Sequence, residues 1–120
     1  MNFTLLLQDF KLEYKKEIAV LSKEYPNPTD LDNFLLNALQ ESYTEIYFIL
    51  SIQIEDPLSV ISRELLEKYT KMLTLAVIYL KAGHVSQANE IRREVLNSVY
   101  DIRKTAGSKN SFIFKIKDLM

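Results

Sequence analysis

Apolar residues recur every three or four positions along most of the chain, a spacing that places side chains on one face of an α-helix. The domain predicted from this pattern covers residues 1–106. It contains four predicted helices, over residues 4–23, 30–52, 57–82 and 85–104. Because short connections join long helices, sequential helices should run in opposite directions. We expect an all-α fold, an antiparallel up-down four-helix bundle with a short C-terminal tail.

Local signals set the predicted helix ends. Two prolines within residues 25–28 should end the first helix, since proline disfavours helical geometry in the residue before it. Thr29 is the expected N-cap of the second helix, and Asp56 that of the third, with Pro57 at its first helical position. Gly83 can adopt the left-handed conformation that closes a helix, so it should end the third.

The predicted tail, residues 107–120, is basic and aromatic. It begins at Gly107, a second plausible helix terminator, and alternates apolar and basic residues near its end. A short strand, a docked arm and an end that orders on a partner all fit this pattern. Residues 24–67 hold nine acidic residues and one base, whereas residues 103–120 hold five bases and one acid. The chain thus has an acidic middle and a basic end.

Composition argues against enzymatic chemistry. The 120 residues suit one domain, and the absence of cysteine removes thiolate metal sites and cysteine nucleophiles. Only two glycines are present, too few for a phosphate-binding loop or a dinucleotide fingerprint. His84 is the single histidine, and no Glu-x-x-His motif accompanies the glutamates, which argues against a di-metal bundle. We predict a non-enzymatic protein without cofactor or metal, in which His84 occupies a solvated corner.

The chain shows no sign of export or membrane insertion. Its first residues lack the basic start of a signal peptide, and its longest uncharged apolar run, residues 72–80, is about half of what spans a bilayer. We expect a soluble cytoplasmic protein that is not an integral membrane protein.

Two predicted helices carry more apolar residues than one buried stripe requires. The second half of the second helix and the end of the third are apolar nearly all round, which indicates contacts on a second side. Either the packing is denser than in a simple bundle, or a partner covers part of this surface. The candidate partner-binding residues, from these helices and from the tail, are Tyr47, Phe48, Ile78, Leu80, Phe112, Phe114, Lys115 and Lys117.

Residues 69–100 resemble a single tetratricopeptide-like helical hairpin. The residues that carry the resemblance are Leu75, Ala76, Tyr79, Gly83 and Ala88. The resemblance implies close helix packing at Ala76 and Ala88 and a peptide-binding role.

The length, the four-helix layout, residues 102–107 after the last helix and the free tail are similar to those of the immunity proteins against pediocin-like bacteriocins. That resemblance implies an intracellular four-helix bundle whose tail contributes specificity at a membrane receptor complex.

Three functional hypotheses follow. The first is a protein-protein interaction module, such as an adaptor, a chaperone or an assembly subunit, whose partner is another protein or a second copy of the chain. The second is a bacteriocin immunity protein. The third, a subunit of a nucleic-acid-associated complex, depends on the basic tail alone, and the acidic middle argues against it because it would repel a polyanion.

Overall fold

The computed structural model describes the backbone of residues 1–119 and the side chains of residues 1–106. Every regular element in the described backbone is helical, which confirms the all-α prediction. The elements are α1 (Phe3–Glu13), α2 (Lys15–Ala19), α3 (Pro28–Ser51), a 3₁₀ turn (Pro57–Ser59), α4 (Arg63–Lys81) and α5 (Val85–Leu119). Among these residues, no helix combines the length and the apolar character needed to cross a bilayer.

The first predicted helix is divided in two. Tyr14 leaves helical geometry, with φ −116° and ψ 37°, between α1 and α2. The break redirects the chain so that Ile18 and Leu21 join the same apolar cluster as Leu6 and Phe10. A single helix over residues 4–23 was therefore wrong, because packing of the second half overrides helical continuity.

Helix α3 begins earlier than predicted. The side chain of Asn27, not that of Thr29, is the N-cap, and its Oδ1 accepts a hydrogen bond of 2.8 Å from the Thr29 amide. Pro28 then occupies the first helical position, where its missing N–H leaves no bond unmade.

Helix α4 begins later than predicted. Pro57 starts only the 3₁₀ turn, and the side chain of Asp56 makes no capping bond. The effective N-cap is Ser62, whose hydroxyl accepts a hydrogen bond of 3.1 Å from the Leu65 amide. Between these points the chain buries Ile54 and Ile61, so the connection itself belongs to the core.

The core consists of two apolar clusters at opposite ends of the α3/α4 pair. The first joins α1 and α2 to the N-terminal half of α3 and the C-terminal half of α4, through Leu6, Phe10, Ile18, Leu21, Leu35, Leu39, Leu75 and Ile78. The second joins the other halves to α5, through Ile46, Ile49, Leu50, Ile54, Ile61, Leu66, Leu73, Val95 and Val99. Ile91 packs against both clusters, so α5 links the two ends of the core.

A short row of buried hydroxyls lies between α3 and α4. Thr74 Oγ1 is 3.1 Å from Ser42 Oγ and 2.9 Å from the carbonyl oxygen of Thr70, and Thr70 Oγ1 donates to the Leu66 carbonyl. Within the described side chains no buried polar atom lacks a partner. These small residues therefore allow close helix contact without the cost of an unpaired polar group.

The two glycines act differently. Gly83 has φ +86° and ends α4, as predicted; beyond it the His84 amide donates to the Tyr79 carbonyl at 2.9 Å, a bond typical of a left-handed helix end. Gly107 does not end α5, which continues to Leu119 instead of stopping near Lys104. A glycine inside a helix costs only about 1 kcal/mol, too little to end one by itself. The strand interpretation of the tail was therefore wrong.

Candidate protein-interaction surface on helix α3

One side of α3 is exposed along its length, and we call it the α3 outer face. It consists of Asn33, Asn37, Gln40, Glu41, Thr44, Tyr47, Phe48, Ser51 and, just past the helix end, Ile52. Their spacing of mostly three or four residues places them on one helical face. The whole of α3 contains no lysine or arginine. Long flexible cations, which resist burial, are thus absent from this face.

Apolar side chains on the α3 outer face stand open to solvent. Phe48 is 66% exposed, Ile52 58% and Tyr47 38%. The Tyr47 ring stacks on that of Tyr43, with 6.0 Å between centroids, and Tyr43 meets the edge of Phe3 at 5.4 Å. Tyr47 is therefore held in place by its own chain, whereas Phe48 and Ile52 present free apolar area.

The hydroxyl groups on this face already have partners. Thr44 Oγ1 donates to the Gln40 carbonyl at 2.8 Å, and Ser51 Oγ donates to the Tyr47 carbonyl at 2.7 Å. Because each hydroxyl proton is used within the helix, covering the face would leave neither donor unpaired.

A shallow depression of about 490 Å³ runs along the middle of the face. It is lined by Asn37, Gln40, Glu41, Thr44, Glu45 and Phe48. Glu45 is held by Arg92 of α5 through two hydrogen bonds, one of them 3.1 Å long. Glu41 has no ion-pair partner among the described residues. The depression is thus amide-lined, apolar at one end and negatively charged.

Helix α5 carries apolar residues on the same side as Arg92, the partner of Glu45. Leu96 and Tyr100 follow Arg92 at steps of four residues, which lie on one side of a helix. Tyr100 is 43% exposed, and the Arg103 guanidinium lies over its ring, 4.8 Å from the centroid. Sequence reasoning missed Ile52, Leu96 and Tyr100, although the step of four from Phe48 to Ile52 could have indicated the first.

Two other predicted partner-binding residues, Ile78 and Leu80, do not belong to the α3 outer face. Ile78 is buried at 1% exposure in the core, so its assignment to a partner surface was wrong. The reason is that Ile78 packs in the apolar cluster that α4 shares with α1, α2 and α3, so denser packing accounts for this residue. Leu80 is exposed, but the adjacent Lys81 contacts Phe34 near the start of α3. Leu80 and Phe48 therefore do not form one surface.

The remaining four candidates lie in the C-terminal part of α5. Phe112, Phe114, Lys115 and Lys117 belong to its helical backbone, but their side chains fall outside the described residues.

His84 lies at an exposed corner between α4 and α5, as predicted. Its ring meets the edge of Tyr79 at 6.2 Å, beside a cavity of about 200 Å³ also lined by Lys16 and Glu17. Burial raises the pKa of the neighbouring Tyr14 above its ordinary value, and the Glu13 carboxylate raises that pKa further. Across the described side chains, acidic groups and His84 form no cluster of three that could hold a metal ion.

A second groove, of about 250 Å³, lies at the chain's N-terminus. It is lined by Met1, Asn2, Tyr43, Leu58, Ile61, Arg63 and Leu66. Leu58, exposed at 54%, and Met1, exposed at 39%, are the exposed apolar residues in this lining, whereas Ile61 and Leu66 belong to the core. The α3 outer face, with three exposed apolar residues, is the larger candidate surface.

Comparison of the chain with models of known families, with curated proteins and with solved structures finds no match. The tetratricopeptide-like and immunity-protein resemblances therefore remain predictions.

Proposed function

We propose that the protein is a non-enzymatic protein-protein interaction module, an adaptor, chaperone or assembly subunit, that binds its partner through the α3 outer face. The observation that carries this proposal is the exposure of Phe48 and Ile52 on a face without lysine or arginine. The centres of protein interfaces are enriched in aromatic residues and depleted in lysine, and this face has that composition.

Energetics supports the same surface. Covering the free area of Phe48 and Ile52 gains roughly 25 cal/mol for each Å² of apolar surface removed from water. Tyr47 adds area that is already ordered by stacking on Tyr43, so fixing it on binding costs little side-chain entropy. The Arg92–Glu45 pair at the edge of the face remains half exposed and suits a polar rim.

A photoreactive amino acid at position 48 tests the proposal in cells of the native host. We expect a discrete cross-linked product whose yield falls when Ile52→Asp is added. The matched control places the same group at Leu12, an apolar residue exposed at 79% on α1. Equal product from both positions, or none from position 48, would contradict the assignment of this face.

We also propose that α1 with α2, α3, α4 and α5 form the four legs of an antiparallel up-down bundle, a rigid support for the α3 outer face. Two contacts favour this arrangement: Phe3 meets Tyr43 in the second half of α3, while Lys11, later in α1, pairs at 2.8 Å with Asp32 near the start of α3. Later residues of α1 thus contact earlier residues of α3, as in two antiparallel helices.

Zero-length carbodiimide coupling of the native protein tests that arrangement, since it joins only ammonium and carboxylate groups in direct contact. The expected products, read by mass spectrometry, link Lys11 to Asp32 and Lys71 to Glu13; the latter pair is 2.6 Å apart. Products that join α1 to α5 instead would require a different order of helices.

A further inference from the structure

We infer that the α3 outer face is occupied by the C-terminal part of α5, residues 107–119, from a second copy of the chain, in a reciprocal dimer. This inference deepens the proposed function, on which it rests, by naming the partner. It depends on charge, on reach and on length.

Charge complementarity selects this segment. Residues 107–119 contain Lys109, Lys115 and Lys117 against Asp118. The α3 outer face has no base and presents Glu41 in its central depression. Complementary charge of this kind steers partners together and fixes their register.

Reach excludes the chain's own segment as the occupant. Arg92 contacts Glu45, and α5 continues from Arg92 to Leu119 as one helix. Gly107 lies fifteen residues beyond Arg92, which is about 22 Å along a helix. Val95 and Val99, which follow Arg92, pack in the cluster that holds Leu50. Helix α5 therefore runs away from Glu41 of its own chain, and a second molecule must supply the segment.

The lengths of the two surfaces agree. From Asn37 to Ile52 the face spans fifteen residue steps, about 22 Å, and a helix over residues 107–119 spans about 20 Å. Within the segment, four of the five residues 112–116 are apolar. Apolar residues at this density require cover from water, and the apolar end of the α3 outer face of a second copy can provide it.

Light scattering of the full chain over a concentration series is the first experiment. We expect a transition from the 14.0 kDa chain to twice that mass, with a dimer Kd that rises on adding salt because screening weakens exposed charge pairs. A monomer at every concentration would overturn the inference.

Charge reversal identifies the two contacting surfaces. Lys115→Glu with Lys117→Glu places acid against acid, and Gln40→Lys with Glu41→Lys places base against base; each double variant should raise the dimer Kd at least about 30-fold. A one-to-one mixture of the two variants should form a dimer again, because in the mixed dimer each segment meets a face of opposite charge.

Matched controls carry the same charge changes on another surface. Lys15→Glu with Lys16→Glu, and Gln8→Lys with Asp9→Lys, alter exposed residues of α2 and α1. They should leave the dimer Kd nearly unchanged. If the mixture of the two test variants stays monomeric, or if the test variants dimerise as the controls do, self-docking on this face is wrong. In that case a cross-link from position 48 to a different protein would still support the proposed function. If position 48 also gave no cross-link, both the dimer and the proposed function would be wrong.

Discussion

Two phenylalanines of the same helix, Phe34 and Phe48, differ in how far the rest of the chain shields their rings from solvent. They lie fourteen residues apart on α3, close to a whole number of helical turns. Phe34 is half-buried: the Tyr25 ring stacks on it at 5.0 Å, and the Lys81 ammonium lies 4.8 Å from its centroid. Phe48 is 66% exposed, and among the described residues no ring or cation covers it.

The connections at the two ends of α3 explain this difference. The segment before α3 folds over Phe34 and is fastened by Lys81, which donates to the Tyr25 hydroxyl at 3.0 Å and to Glu24 at 2.9 Å. These two bonds raise the pKa of Lys81. The segment after α3 instead sends Ile54 into the core. A connecting segment therefore shields Phe34 from solvent, whereas the connection after α3 leaves Phe48 exposed.

Removing the uncovered ring should have the largest effect, and on association alone. Phe48→Asp should raise the dimer Kd at least about 30-fold, as expected for an aromatic residue central to an interface. Its free energy of unfolding should change by less than about 0.5 kcal/mol, since the side chain packs on little in the monomer. Light scattering and urea denaturation measure the two quantities. Leu12→Asp is the control, and an equal loss of association there would indicate nonspecific stickiness instead.

Removing the covered ring should have the opposite outcome. Phe34→Ala should lower the free energy of unfolding by about 2 kcal/mol, roughly half of what a fully buried phenylalanine contributes. The dimer Kd should stay nearly the same, because Phe34 lies about 21 Å along α3 from Phe48. Urea denaturation of the variant in the Phe48→Asp background isolates folding from association. Unchanged stability would mean that the Tyr25 and Lys81 cover contributes nothing.

The all-α fold could be predicted because periodicity is strong where one face of a helix is buried. Helix ends were harder: Asn27 and Asp56 precede prolines in similar ways, yet only Asn27 caps a helix. The break at Tyr14 and the continuation through Gly107 also escaped prediction. At the starts of α3 and α4 the free energy that one capping residue supplies is about 1 kcal/mol, which tertiary packing can outweigh.

The candidate surface could be predicted only in part. Tyr47 and Phe48 were identified because they exceed what one buried stripe needs, but the same argument selected Ile78, which is buried. Hydrophobicity alone cannot tell which side of a helix its neighbours cover. Helix α3 contacts α1, α4 and α5, and α4 contacts α2, α3 and α5, yet Phe48 is exposed and Ile78 is buried. The side that stays open is a property of the tertiary arrangement rather than of any local pattern.

The Lys81 ammonium, which lies over the Phe34 ring, should contribute less to the free energy of unfolding than the ring itself. Lys81→Met keeps the apolar stem but removes the ammonium, so it should destabilise the fold by less than Phe34→Ala does. The two changes should also be less than additive, because the ammonium lies over the ring and loses one contact when the ring is gone. A double-mutant cycle by urea denaturation measures this coupling. Full additivity would show that Lys81 acts only through Glu24 and the Tyr25 hydroxyl.

The smallest expected effect is a decrease in the free energy of unfolding at alkaline pH, caused by the partly buried Tyr14. The pKa of Tyr14 is raised mainly by burial, so the folded state favours the neutral phenol. Below the ordinary tyrosine pKa of about 10 its contribution is complete, and it is lost as pH rises from there through the folded-state pKa. Unfolding in the monomeric Phe48→Asp background should therefore become easier above that pH, and Tyr14→Phe should reduce the pH dependence. Lys81 also titrates here with a raised pKa, so Lys81→Met serves as the separate control. A pH profile that Tyr14→Phe leaves unchanged would assign the whole alkaline effect to other groups.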